Sequence, residues 1–255
     1  VNELSLFSGC GGGILAGRLL GWRTVCAVEH VAYRQDVLLA RQRDVLEPFP
    51  VWDDITTFDA RPWRGRCDIV SGGFPCQDVS TIKKKPKGIK GEQSGLWEEM
   101  LRVVTEAEPP FVFIENSPML RTRGLEQVLE GLASIGYDAE WCCLGGADAP
   151  IHAPHKRTRM WILAYRQGFG RTWGADHGTE DNRALHGGQE RSEVGRQLED
   201  DGGVSWEKLW AVEPGVGRVV DDVANRMDRI EAIGDGQIPI VAAVAFELLM
   251  RRARQ

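Results

Sequence analysis

Apolar residues along the 255-residue chain fall into short runs with two alternating spacings. Residues 4–7, 24–28, 68–71, 111–114 and 160–164 are largely apolar stretches bounded by Gly, Pro or Asp, as expected of buried strands. Between them, 12–20, 32–40, 96–106, 125–135 and 240–250 read as helices. In two of these the apolar residues recur at helical spacing: Leu96, Met100, Val103 and Val104, then Leu125, Val128, Leu129 and Leu132. This alternation predicts an α/β fold, a parallel sheet covered by helices on both faces. The pattern fails after Tyr165. From 166 to about 222 glycines are frequent and apolar residues sparse. That stretch reads as a small loop-rich insertion anchored by Trp173, Trp206, Leu209 and Trp210, or as a disordered linker. The apolar helix after Pro239 returns to the main domain, so the division expected is 1–165 with 232–255 against a smaller 166–231.

Composition narrows the class. With 42% hydrophobic and 27% charged residues the chain can bury a core. No apolar run approaches the roughly 18 residues that span a bilayer, so no membrane partner is expected. Residues 1–9 carry no basic region before an apolar stretch, and no signal peptide is read there. Cys10, Cys26, Cys67, Cys76, Cys142 and Cys143 form no C-x-x-C pair. That spacing points to a reducing compartment and away from a disulfide frame or a metal site. The net charge of −6 is unevenly spread: 166–231 holds nine basic and fourteen acidic residues, while five of seven lysines lie between Lys83 and Lys90. A near-neutral body with one basic loop and one acidic segment does not exclude nucleic acid.

The candidate chemistry sits at the expected strand ends. The first strand runs into Phe7-Ser8-Gly9-Cys10-Gly11-Gly12-Gly13, where glycines let backbone amides at a helix start approach a ligand. The second ends at Glu29, placed to accept hydrogen bonds from ribose hydroxyls. Ile14 breaks the G-x-G-x-x-G dinucleotide fingerprint, which favours an adenosine-containing ligand other than a nicotinamide cofactor. The third strand leads to Gly72-Gly73-Phe74-Pro75-Cys76-Gln77, with Cys76 on a loop where an open sheet binds ligands. The fourth leads to Glu115-Asn116-Ser117-Pro118. Arg157 and Arg159 alternate at the start of the next strand, and that alternation places them on one face.

Taken in order, FSGCGGG, VCAVEH, DDI, GGFPCQDVS, IENSP, APHKRTRMWIL and GDGQIP resemble the ordered motifs of the cytosine-5 DNA methyltransferase family. The resemblance spans residues 4–164 and about 225–249. It implies a Rossmann-like sheet that binds S-adenosylmethionine, with helices on both faces and a small target-recognition region at 166–231. It implies Cys76 as nucleophile, Glu115 as the acid on the cytosine ring, and Arg157 and Arg159 as the pair supporting base and acid. Around the cofactor it implies Phe7, Gly9, Cys10, Gly11 and Gly12 at the methionine part and Glu29 at the ribose. His30, Asp54 and Ile55 fall at the adenine, with Pro75, Leu96 and Asp235 completing the lining. Gln77, Ser80, Lys83, Lys84, Lys85 and Lys87 fall on the side of double-stranded DNA. The implied protein is a monomer acting on DNA in the cytoplasm of a bacterium or encoded by a phage.

Four positions depart from the family pattern. His30 stands where another aromatic ring is common, Ser117 replaces a common Val, His155 a common Gln, and Asp235 the usual Asn. A member of the family acting on RNA, a catalytically dead DNA-binding protein and a thiol hydrolase using Cys76 with His152 or His155 are the alternatives. The hydrolase has no use for the glycine loop or Glu29. The target sequence and the acceptor of the carbon 5 proton are not readable from the residues.

Overall fold

The computed structural model describes residues 1–75, 95–148, 151, 156–168 and 236–255. Seven strands form one sheet in the order β3-β2-β1-β4-β5-β7-β6. They are β1 (Asn2–Leu6), β2 (Arg23–Val28), β3 (Val51–Trp52), β4 (Ile69–Gly72), β5 (Phe111–Asn116), β6 (Tyr137–Leu144) and β7 (Arg159–Arg166). The helices are α1 (Gly12–Leu19), α2 (Ala32–Arg41), α3 (Leu96–Ala107), α4 (Leu120–Arg123), α5 (Leu125–Ser134) and α6 (Pro239–Ala253), with a short 3₁₀ turn at Arg61–Trp63.

The ten predicted elements are all present, with no end moved by more than three residues. The sheet is not wholly parallel. β1, β2, β3, β4 and β5 run parallel, but β7 pairs antiparallel with β5 and with β6. β6 is absent from the predicted elements because its sequence, YDAEWCCL, buries only its first and last residues fully. An edge strand of this kind shows neither a continuous apolar run nor a clean alternation.

Alternate strand residues feed two cores. Leu4, Val70, Val112, Ile114 and Ile162 pack against α3 and α5 through Met100, Val103, Val104, Val128 and Leu132. The opposite side chains, Ile69, Phe111, Phe113, Trp161 and Leu163, pack against α6 through Val241, Ala245 and Leu249. A smaller cluster of Ile14, Ala27, Leu38, Leu46 and Phe49 holds α2. Helices thus cover both faces. α3 carries Glu98 and Glu99 in its first turn, which suits the helix dipole. It ends at Glu108 in the left-handed region (φ 47°), just before Pro109 and Pro110. Aromatic contacts anchor α6: Phe246 meets Trp22 edge-on at 4.7 Å and Phe113 at 5.4 Å, and Phe113 stacks on Trp161 at 5.5 Å.

β1 has β2 on one side and β4 on the other, so the chain direction across the sheet reverses between β1 and β4. In open α/β sheets ligands bind at the carboxyl ends beside such a reversal. The loops after Leu6 and after Gly72 meet there.

Candidate active site

The half of the site beyond β1 and β2 is built largely from backbone. Phe7, Gly9 and Gly11 all have positive φ, at 50°, 54° and 85°. For Phe7 this costs about 1–2 kcal/mol, and such strain gathers at functional turns. The turn delivers Gly9 N–H to Glu29 Oε2 at 2.7 Å, and Val31 N–H donates to Oε1 at 2.9 Å. Glu29 is only 4% exposed, yet these two amides use half of the roughly four lone-pair sites of a carboxylate. The remainder can receive ligand hydroxyls. His30 is exposed, with Nδ1 3.1 Å from the Asp53 carbonyl. Asp54 Oδ1 accepts the Thr56 amide and hydroxyl, each at 2.8 Å, and these bonds hold its carboxyl below the usual range. The Ile55 side chain is buried, so at this point the backbone is the part that can face a ligand. Arg102, on α3, donates to the Ile55 and Phe58 carbonyls at 2.7 and 3.0 Å and pairs with Glu99 and Glu106. It clamps the loop that carries Asp54 and Ile55. Sequence reasoning passed over it because an i, i+4 pair with Glu106 on a helix resembles an ordinary solvated pair.

The half beyond β4 and β5 is built from side chains. A Cβ on Gly72 would stand 2.6 Å from the Leu6 carbonyl, and one on Gly73 2.6 Å from Glu115 Oε2. Only glycine lets these strands and this acid approach so closely. Asn116 is buried; its Nδ2 donates to the Phe74 carbonyl at 2.9 Å and its Oδ1 accepts the Ser117 amide at 2.8 Å. It therefore holds the start of the loop that carries Cys76. Arg159 Nε meets Glu115 Oε1 at 2.8 Å, with the acid's side chain 12% exposed. Arg157 precedes the strand with a φ of 24°, so strand alternation does not extend to it, and its guanidinium donates to the Gly236 carbonyl. Arg159 thus meets the acid directly, while Arg157 reaches the chain just before α6. Gln237 was missed as well. Its backbone closes on Gly12, and its carboxamide reaches Gly13 and Gly73, so it stands between the two halves. The signal was present in GDGQIP, but nothing local says what lies against it.

Phe7, Gly9, Cys10, Gly12, Gly73, Glu115 and Gln237 line one cavity of about 50 Å³. Glu29, His30, Asp54 and Ile55 stand at the neighbouring strand ends. Leu96 begins α3, and Pro75 is exposed at the end of the described stretch. Cys76, Gln77, Ser80, Lys83, Lys84, Lys85, Lys87 and Asp235 lie outside the described residues, as does the 169–235 stretch. Burial pushes the Cys10 thiol up, and the Cys26, Cys67 and Cys142 thiols up to about 11. These four stay protonated near neutral pH and are poor nucleophiles. Among the described residues no group of three His, Cys, Asp or Glu side chains could hold a metal ion, and no helix is long and apolar enough to cross a membrane.

Strand order, reversal point and the two facing loops define an open Rossmann-like α/β sheet with one antiparallel strand inserted. Dnmt2 methyltransferase of S. pombe superposes with a TM-score of 0.55 at 20% identity, over 76% of this chain and 57% of that one. DNMT2 of Spodoptera frugiperda gives 0.54 at 17% identity, over 66% and 50%. Residues 1–211 match the family model for C-5 cytosine-specific DNA methylase, and the chain belongs to that family. Its relatives include the type II methyltransferases M.NgoFVII of Neisseria gonorrhoeae, 33% identical over 64% of this chain, and M.HhaI of Haemophilus parahaemolyticus, 30% identical over 64%. The chain covers 43% and 48% of those two proteins, so it spans a little under half their length.

Proposed function

We propose that the chain is a DNA (cytosine-5)-methyltransferase that adds the Cys76 thiol to carbon 6 of a flipped cytosine. The observation that carries this reading is the Arg159–Glu115 pair at 2.8 Å, closed against Gly73 three residues before Cys76. Carbon 5 of cytosine is a weak nucleophile inside an aromatic ring. Thiolate addition at carbon 6 breaks the aromaticity and makes carbon 5 enamine-like, and a thiolate can leave again afterwards. Glu115 meets ring nitrogen 3 and stabilises the charge that develops as sulfur adds. Arg159 fixes the orientation of that carboxyl. Arg157 ties the same loop to Gly236, and Asn116 sets where the Cys76 loop begins.

S-adenosylmethionine, when bound, supplies an electrophilic methyl group for carbon 5. The residues present fit it: a glycine turn of positive φ at a helix start, a buried acid with lone pairs to spare, and an Asp held ionised beyond β3. In this reading Phe7, Gly9, Cys10, Gly11 and Gly12 surround the methionine part. Glu29 takes the ribose, His30, Asp54 and Ile55 the adenine, and Pro75, Leu96 and Asp235 complete the lining.

A stacked cytosine is out of reach, so the base must leave the duplex. Lys83, Lys84, Lys85 and Lys87 hold backbone phosphates around it, with Gln77 and Ser80 beside them. Residues 166–231 form the target-recognition region and read base edges, and a single copy suffices for one site. Duplex DNA carrying 5-fluorocytosine tests the proposal, because fluorine blocks release of the enzyme. A Cys76-linked adduct that needs S-adenosylmethionine and is lost in Cys76→Ser is the expected result. Trapping by Cys76→Ser, or trapping on structured RNA alone, would overturn it.

A further inference from the structure

Glu3 has no part in the chemistry above, yet it is a fully buried acid in the centre of the sheet. It lies on β1 on the face opposite Leu4 and Leu6. Thr24 Oγ1 donates to its Oε2 at 2.8 Å and Ser71 Oγ to its Oε1 at 2.6 Å. β2 and β4 face it with these hydroxyls and α1 with Gly17, and Ala242 of α6 lines the same cavity. Glu3, Cys10 and Glu115 are the ionisable side chains that line the cavity it faces, with no Lys, Arg or His among the described lining residues. Burial pushes its carboxyl above the usual range, against the lowering effect of the two hydroxyls. A buried acid without a cation costs stability that an apolar residue there would not.

The cavity gives that cost a use. It is lined by the sheet, α1 and α6, and takes in Glu3, Ser5 and Ser71 as well as Gly73, Glu115 and Gln237. Its volume of about 50 Å³ exceeds the roughly 10–15 Å³ that one water needs. Ser5 and Ser71 are register partners on β1 and β4, and Ser8 Oγ donates to Ser5 Oγ at 3.0 Å. Glu3 and the reacting face therefore share one cavity with these serine hydroxyls in its lining.

We propose that Glu3 ends a hydrogen-bonded proton passage and takes up the proton that leaves carbon 5 when the Cys76 adduct collapses. This rests on the methyltransferase reading above. The carbon 5–hydrogen electrons form the 5,6 double bond, and the carbon 6–sulfur electrons return to Cys76 as thiolate. The proton passes to water in the cavity and, through water and the Ser71 hydroxyl, to the Glu3 carboxylate. A hydroxyl both donates and accepts, so it can relay. The neutral acid that results is the form burial favours. The proton returns to solvent by the same waters when the methylated DNA leaves.

A purely structural role, clamping β1, β2 and β4, makes a different prediction. Gln at position 3 keeps the shape and can bond both hydroxyls, one of them turned to accept from the amide, but it cannot take a proton. The test is a single turnover of the whole chain on duplex DNA tritiated at cytosine carbon 5, with a carbon-14 methyl on S-adenosylmethionine, across the acid and neutral range. In Glu3→Gln, methyl transfer should run at the parent rate. Tritium release should slow about tenfold, less than the roughly 10²–10⁴-fold of a base in direct contact because water still takes the proton first, and Cys76-linked DNA should accumulate on a denaturing gel. The parent's acid limb of tritium release, where Glu3 is already protonated, should vanish in Glu3→Gln and persist in Glu3→Asp. Parent-like tritium release with an unchanged pH profile in Glu3→Gln would overturn the passage. Should Glu3→Gln fail to fold, Ser71→Ala keeps the carboxyl and removes the relay. Slowed tritium release with intact methyl transfer then supports the passage, and parent-like release overturns it. If the parent forms no adduct with 5-fluorocytosine DNA, the methyltransferase reading fails and the passage with it. If the adduct forms and only the Glu3 arm is negative, the passage alone falls.

Discussion

Glu29 and Glu115 both sit at carboxyl ends of parallel strands and both are largely withdrawn from water, yet they are held in opposite ways. Two backbone amides within a few residues of the β1 and β2 ends hold Glu29. A guanidinium from the antiparallel strand β7 holds Glu115, while a Cβ at Gly73 would collide with it. Backbone amides are fixed once the turn forms, which suits a ligand with one constant shape. A side-chain network can be retuned residue by residue, which suits a site where charge develops during the reaction. The contrast predicts that damage to the β1–β2 half shows in cofactor affinity, and damage to the β4–β5–β7 half in turnover.

The largest effect tests the second half at its proposed nucleophile. Cys76→Ala should reduce methyl incorporation by more than about 10³-fold, as loss of a covalent nucleophile does elsewhere. Calorimetry should find S-adenosylmethionine binding close to the parent's. Glu115→Gln should lower kcat by about 10²–10³-fold in steady-state tritium assays, with cofactor Kd little changed. A large change in Kd and a small one in kcat would erase the division between the halves.

Glu29→Ala should do the reverse. Loss of charge-assisted hydrogen bonds worth about 1.5–3 kcal/mol should weaken S-adenosylmethionine binding by roughly 10–100-fold. Single-turnover methyl transfer at saturating cofactor should stay near the parent rate. Asn116→Ala leaves the Phe74 carbonyl without its donor. It should cost about 1–3 kcal/mol in denaturant unfolding, and kcat should fall without a matching change in Kd, because the loop entering Cys76 is loosened. The smallest effect is expected at Asp235, where the family pattern has Asn. An ionised carboxylate only accepts hydrogen bonds, whereas an amide also donates. Asp235→Asn should therefore bind the cofactor modestly more tightly in titration calorimetry, and tighter binding by the parent would reverse that sign.

What the residues disclosed without the fold is unequal between the halves. Gly9 of FSGCGGG and Glu29 are twenty residues apart and joined by one βαβ unit, so periodicity alone places them together. Asn116 and Phe74 are 42 residues apart, and Arg157 and Gly236 are 79 apart. No local pattern encodes those meetings. Arg102 looks like a surface ion pair until the 53–60 loop is seen folded against it. β6 was invisible because only its first and last residues are fully buried, which leaves neither an apolar run nor a clean alternation.

By itself the sequence determined the alternation of strands and helices, the glycine turn, the order of the motifs and the family they match. Those depend on spacing and backbone freedom over a few residues, which neighbours along the chain suffice to express. Only the tertiary structure decided that β7 runs antiparallel to β5, which brings Arg159 to Glu115, and that Gln237 closes on Gly12 and Gly13 from the far end of the chain. It also decided that Glu3, an ordinary acid near the start of the chain, is buried beside Thr24 and Ser71 rather than solvated. Burial and long-range pairing follow from which faces pack together, and packing is a property of the whole sheet.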